Sequence, residues 1–355
     1  MDGRVVRALS PQTFLTMPSE TRGNDPDNVS GFTVAFGSCL NPTTQPMQPI
    51  FQEALQHRPT AFFWIGDINY MPGRSSHFET DRETVRWTMA GYHREVRHVP
   101  EVRAMMASTP SYGIWDDHDF GPNDSDRTFE FRDDTLEMYR KFWPNSGGGS
   151  GNDKGIYHSF KIADVEFFML DDRYHRDPNK ADDRRTMFGD AQVAWLKKGL
   201  KASTATFKVI ANGNSLVVDF YRRGELWDNF GTERDDFFKW VFDEDISGVF
   251  FICGDWHVGT LNKKLEDDFG YPLCELLSSN AGVRVDPIGV RPKEGWRSNR
   301  QSDAGFYRGY NFGTLSFSGR KGERRVALRI IDEHGNVQIE QVLSEGDLRE
   351  QVSEE

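Results

Sequence analysis

Pro110-Ser111-Tyr112-Gly113-Ile114-Trp115-Asp116-Asp117-His118-Asp119-Phe120 joins a short apolar run to three carboxylates packed around one histidine. The apolar part predicts a strand, so the acidic part falls where that strand stops, at the mouth of a sheet. Three carboxylates that close repel one another strongly away from bulk water. A multivalent cation offsets that repulsion most simply. For the cluster taken alone, a solvated acidic turn is the readier account. The balance shifts because the same pattern, an apolar strand ending in a polar cluster, recurs along the chain.

Phe32-Thr33-Val34-Ala35-Phe36 predicts a buried strand ending in Gly37-Ser38-Cys39, and Ala61-Phe62-Phe63-Trp64-Ile65 a second one ending in Gly66-Asp67. Between them, Gln48 to Gln56 has a helical pattern, with Ile50, Ala54 and Leu55 on one side. A long helical stretch from Glu83 towards Met106 is broken near Pro100. Asp134 to Trp143 predicts a helix, and Ser146 to Gly151 a flexible Gly/Ser loop. Gly155–Ala163 and Val165–Leu170 predict an antiparallel pair that ends in Asp171-Asp172-Arg173. Asp190 is expected to cap a helix to about Leu200; Phe207–Ala211 predicts a strand followed by Asn212-Gly213-Asn214. Arg234 to Phe242 reads as helix, and Gly248–Cys253 as a strand ending in Gly254-Asp255-Trp256-His257. From Phe312 to Leu343 the chain alternates like a meander, with a tight turn at Glu333-His334-Gly335-Asn336.

Strand–helix alternation followed by antiparallel pairs predicts an α/β sandwich of two mixed sheets flanked by helices. In such sheets ligands bind beyond the carboxyl ends of the strands, where all these polar clusters fall. Residues 1–30 are polar and turn-rich and read as an N-terminal extension, 31–345 as one domain, and 346–355 as a C-terminal tail.

Hydrophobic content of 37%, with 27 Phe and 9 Trp among 355 residues, supports a large, aromatic core. A net charge of −12 argues against nucleic acid or an anionic membrane surface as main partner. It does not exclude an anionic small molecule held through a metal. Three cysteines make no disulfide framework. No apolar run is long enough for a membrane helix, and the first 20 residues lack the basic start and apolar core of a signal peptide.

Each cluster has a chemical and a plain reading. After Gly66, Asp67 presents a carboxylate at a strand tip and Tyr70 can reach the same side; a turn Asp beside a core Tyr is the plain version. Cys39 is a soft potential ligand at a strand end, whereas Cys253 and Cys274 read as core. Asp255 and His257, two apart in a bent loop, can reach one ion. Arg173 offers a fork suited to a phosphoryl group, or a simple surface pair with Asp172.

In this order, strand-Gly-Ser-Cys (37–39), Gly-Asp-x-x-Tyr (66–70), Trp-Asp-Asp-His-Asp with a following Asn (115–123), Leu-Asp-x-Arg-Tyr (170–174) and Gly-Asp-x-His (254–257) resemble the PhoD-like alkaline phosphatases of the calcineurin-like metallophosphoesterase superfamily. Gly189-Asp190-Ala191-Gln192-Val193-Ala194-Trp195-Leu196 resembles the helix after the family's Arg motif, and the likeness spans roughly residues 31 to 345. The resemblance implies ferric iron bound through Cys39, Asp67, Tyr70, Asp255 and His257, and calcium beside it, with other divalent metals admissible at that second site. Asp67 would bridge to the second metal, which Asp117 and Asn123 would help bind, and Arg173 would grip the phosphate. It also implies a periplasmic or secreted protein. Two departures stand out: Ile68-Asn69 replaces the common Asn-Ile, and Met71-Pro72-Gly73-Arg74 brings no acidic residue soon after Tyr70.

The expected reaction is hydrolysis of a phosphate monoester or diester by in-line attack of a metal-bound hydroxide. Arg173 would offset charge on the equatorial oxygens. His118, backed by Asp119 or Asp116, would orient the ester or protonate the leaving group. Trp296, Arg297, Arg300 and Tyr307 lie in a polar stretch that can line a leaving-group pocket or form ordinary surface loop. A non-catalytic metal-binding module would have lost a ligand or His118, and none is lost. A hydrolase of another ester would favour a Gly-x-Ser-x-Gly elbow, and the chain has none.

Overall fold

The computed structural model describes residues 31–42, 47–70, 81–145, 148–179, 184–217, 225–264, 271–283 and 305–349. Two mixed sheets carry the domain. The first, in spatial order, is β13 (Val337–Ser344), β12 (Arg325–Asp332), β11 (Asn311–Ser318), β1 (Phe32–Gly37), β2 (Ala61–Ile65) and β3 (Ser111–Ile114). The second is β10 (Phe306–Tyr307), β8 (Gly259–Lys264), β9 (Leu273–Ser278), β7 (Val249–Cys253), β6 (Phe207–Ala211), β5 (Val165–Met169) and β4 (His158–Ile162). β1, β2 and β3 run parallel, as do β5, β6, β7 and β9; the outer strands pair antiparallel.

Side-chain parity explains the layering. Successive residues of a strand point to opposite faces. Phe63 packs edge-on against Phe167 at 4.9 Å, joining the two sheets, while its neighbour Phe62 meets Phe51 of helix α1 (Pro49–Gln56) on the outer face. In the second sheet Phe167 faces inward and Phe168 outward, against Trp195 of α6 (Gly189–Ala202). Phe251 of β7 likewise meets Phe238 of α7 (Gly231–Asp243). β2, β6 and β7 are buried at all five positions, as strands covered on both faces must be.

The long helical stretch is two helices, α2 (Arg82–His98) and α3 (Pro100–Ser108), divided where Pro100 starts the second. α5 (Arg132–Phe142) packs on α2. Two expectations are corrected, and three strands had no counterpart among them. Asp190 sits inside the first turn of α6 and Phe188 is the residue before it, so Asp190 is no cap. β8, β9 and β10 carry no alternation strong enough to have been read. The domain does not end at 345: Leu348 is fully buried and its carbonyl accepts from Gly248 N at 2.7 Å. The expected extension over 1–30, residues 350–355 of the tail, part of the Gly/Ser loop, and Trp296, Arg297 and Arg300 lie outside the described residues. No described helix is long and apolar enough to cross a membrane.

Candidate metal centre and active site

Every parallel strand delivers polar residues to the same rim. Cys39 follows β1, Asp67 and Tyr70 follow β2, Asp116 to Asp119 follow β3, and Asp171 to Arg173 follow β5. Asn212 and Asn214 follow β6, Asp255 and His257 follow β7, and Ser279 and Asn280 follow β9. Backbone bonds tie these ends together: Leu40 N donates to Asp67 O (2.8 Å), Ala281 N to Ser38 O (2.9 Å) and Gly254 N to Gly213 O (3.0 Å).

The turns are tight enough to strain the chain. Cys39 (φ 60°), Asp67 (φ 54°), Asp255 (φ 72°), His257 (φ 51°) and Asn280 (φ 84°) are five of the nine non-glycine residues with positive φ among the described residues. Such conformations cost on the order of 1–3 kcal/mol each and gather where a site over-determines them. Gly66, at φ 92°, is required here, because a Cβ would come within 2.7 Å of Asp116 Cβ.

These turns bring the side chains into one buried nest. Cys39 Sγ lies 3.6 Å from Asp67 Oδ2; Tyr70 OH lies 3.1 Å from the same oxygen and 2.8 Å from His257 Nε2. Donor atoms of Cys39, Asp67 and His257 are all within 4.8 Å of one another, as are those of Asp67, Asp117 and His118, and those of Asp67, Asp116 and Asp255. Asp67 is common to all three sets. Among the described residues Asp67 Oδ1 and Asp116 Oδ2 are buried with no hydrogen-bond partner, as is His118 Nδ1.

The electrostatics match that geometry. Burial, then the charges of Cys39, Asp117 and Asp116, pushes the Asp67 carboxyl well above the usual carboxylate range. Burial with its acidic neighbours does the same to Asp255, and burial outweighs Arg173 at Asp116. The Cys39 thiol is pushed up to about 11 by burial and Asp255, and Tyr70 is raised by burial and Asp67. His257 is held down to about 4 by burial and by His118. Asp117 is the exception: burial raises it, but Arg173, His118 and the amide of Asp124 outweigh that and bring it below the usual range. Buried carboxylates with orphaned oxygens require either protons or cations. Sulfur, phenol, imidazole and carboxylate donors in one cluster fit a metal.

Four expected roles look different in three dimensions. Asp119 does not back His118. Its Oδ1 accepts from the amides of Ile68 (3.0 Å) and Asn69 (2.9 Å) and its Oδ2 from Asp116 N (3.1 Å), so it laces the two ligand-bearing loops together. Asp116 does not back His118 either, because it pairs with Arg173 through Nε (2.7 Å) and Nη2. Arg173 is fully buried, and its fork is already taken by Asp116 and Glu225. Asn123 and Asp124 are both exposed, and it is Asp124 that donates its amide to Asp117 Oδ2 (2.7 Å) and joins Asp117 and Glu225 in a further donor set. His118 stacks at 4.3 Å on Tyr70 at the edge of the nest.

Glu225, Asp124, Asn212 and Ser279 are participants that reading the sequence did not find. Asn212 follows a recognisable strand, and its buried Oδ1 lacks a partner. Glu225 stands in no motif, and only the fold brings it to Arg173.

A family model described as PhoD-like phosphatase matches residues 34–328. The chain is 24% identical over 276 residues to alkaline phosphatase D of Bacillus subtilis (strain 168), across 65% of this chain and 46% of that protein. It thus spans about half the length of the curated relative it matches. A solved structure of PhoD superposes with a TM-score of 0.70 at 17% identity, covering 92% of this chain and 72% of the other. A purple acid phosphatase from yellow lupin (Lupinus luteus) seeds superposes with 0.57 at 12% identity, covering 89% and 54%. At such identities these two carry the fold alone, and it is the two-sheet sandwich.

Proposed function

The chain belongs to the PhoD-like phosphatase family, and from that premise we propose that it hydrolyses phosphate esters at a metal centre that Asp67 would help hold. The observation that carries this reading is the sharing of Asp67 among three donor sets, each with two buried members and one half-buried, with its Oδ1 left unpartnered among the described residues. Cys39, Asp67, Tyr70, Asp255 and His257 would hold one side of the centre, where the hard phenol and carboxylate oxygens suit a trivalent ion such as ferric iron. Asp117, with Asp116 near Asp67, makes an oxygen-rich side suited to calcium or another hard divalent ion. Asp124 replaces Asn123 as the candidate next to Asp117. A metal held by these residues would offset charge on the phosphoryl oxygens and ease deprotonation of water.

The chain's own residues supply the rest. Water attacks phosphorus in line with the leaving oxygen, the bond to that oxygen breaks, and a proton must reach it. His118, at the edge of the nest, would give that proton, and its unpartnered Nδ1 supports this reading. Arg173 acts behind the centre: it offsets Asp116 and holds Asp117 in its ionised form. The substrate class is a small phosphate ester, and the family likeness supports export to the periplasm or medium.

The test is Asp67→Asn, with metal content measured and p-nitrophenyl phosphate and bis-p-nitrophenyl phosphate assayed side by side. Loss of metal and of both activities is expected. Full activity at full metal content would sink the reading.

A further inference from the structure

Ser279 follows β9 and is completely buried. Its Oγ lies 3.0 Å from Cys39 Sγ and 2.9 Å from His257 N. The amide can only donate, so the hydroxyl oxygen accepts there, and its single proton is left to point at the sulfur. One side chain therefore touches two residues of the proposed metal centre, one from the end of β1 and one from the end of β7. The serine is itself held: its N donates to Val258 O (3.0 Å), and its O accepts from Asn311 Nδ2 (2.6 Å). Asn311 stands on β11 of the opposite sheet, so Ser279 is clamped between both layers. Ser38 Oγ also approaches Cys39 Sγ, but at 3.5 Å, and the same hydroxyl points at Ser278 O (3.3 Å). Its one proton is divided, whereas that of Ser279 is committed.

We propose that Ser279 is a positioning residue of the metal centre: its hydroxyl keeps Cys39 and His257 in register, and its hydrogen bond to the sulfur weakens sulfur donation to a bound metal. The inference rests on the reading of Cys39 as a ligand and not on the identity of the ester. A hydrogen bond to a ligating sulfur draws electron density from it, and partners of this kind govern metal affinity and electronic properties.

Cobalt(II) titration of the purified full chain tests this, because a thiolate bound to cobalt has a near-ultraviolet charge-transfer band. In Ser279→Ala that band should move to longer wavelength as sulfur donation strengthens, while cobalt affinity, set by the lost positioning of Cys39 and His257, should fall on the order of 10- to 100-fold. Ser279→Thr, which keeps a hydroxyl, should restore both towards the parent values. An unchanged band in Ser279→Ala at equal cobalt stoichiometry overturns the proposal. A parent protein with no band that Cys39→Ser removes overturns Cys39 as a ligand, and Ser279 with it. A shifted band in a protein that cleaves neither ester supports the role of Ser279 and overturns the phosphoesterase reading instead.

Discussion

Arg173 forks onto Glu225, with Nη1 2.5 Å from Oε1 and Nη2 3.0 Å from Oε2, although the two residues are 52 positions apart. Asp116 takes the other edge of the same guanidinium, so one buried guanidinium joins two buried carboxyl groups. Removing one partner of such a group strands the others and typically costs about 3–5 kcal/mol. Arg173→Met strands two carboxylates, and Glu225→Gln removes one charge while keeping an acceptor. Arg173→Met should therefore lose about 3–5 kcal/mol in urea unfolding and Glu225→Gln clearly less. A raised KM with unchanged stability in Arg173→Met would instead mean that the guanidinium leaves its partners to hold the substrate.

Asp119 accepts hydrogen bonds from three backbone amides on two loops, and this arrangement predicts a structural defect on substitution. Asp119→Asn keeps the size but turns a donor towards one of those amides, leaving buried groups unpaired at about 1–3 kcal/mol. Both stability and metal retention should drop, while the pH–rate profile of whatever activity remains keeps its shape. A profile that loses one limb in Asp119→Asn would return Asp119 to the catalytic role beside His118.

Gly66→Ala probes the turn that aims Asp67. The added methyl would stand 2.7 Å from Asp116 Cβ and 3.2 Å from Asp116 N, on backbone at φ 92°. Overpacking of this kind costs about 1–3 kcal/mol, and the positive φ adds to it. Because both neighbours bear proposed ligands, metal stoichiometry should fall along with the melting temperature. Full metal content in Gly66→Ala would show that the loop relaxes without moving Asp67.

The elements legible in the sequence are those whose signal is local. An apolar strand followed by Gly-Asp or Gly-Ser-Cys announces both the strand and its functional end, because only a few neighbouring residues make the turn. The short helix Asp117–Phe120 hides in an acidic run, and the polar strand Gly259–Lys264 reads as loop. Which carboxylate does what was not legible. Asp116, Asp117 and Asp119 are near-identical in sequence context, and their roles divide through partners 50 to 57 positions away: Ile68 and Asn69 for Asp119, Arg173 for Asp116. Ser279 was invisible for the same reason, since its two partners lie on loops that meet only once both sheets have formed.

His158 predicts an acid limb to stability that is separate from the metal centre. It is buried on β4, its Nδ1 bonded to Ile156 O at 2.9 Å, and burial holds its pKa down to about 4. In the unfolded chain an imidazole titrates near ~6.5. Between those values the unfolded state takes up a proton that the folded state refuses, so stability falls as pH drops, by about 3 kcal/mol once pH 4 is reached. His158→Phe keeps a ring beside Phe160, with which His158 stacks, and loses the hydrogen bond, so at neutral pH it should be about 1 kcal/mol less stable than the parent. The parent then loses stability on acidification that the variant does not, and the two unfolding curves should cross near pH ~6. Urea midpoints measured from pH 7.5 to 4.5 check this; a gap that stays constant over the range would show that His158 titrates alike folded and unfolded.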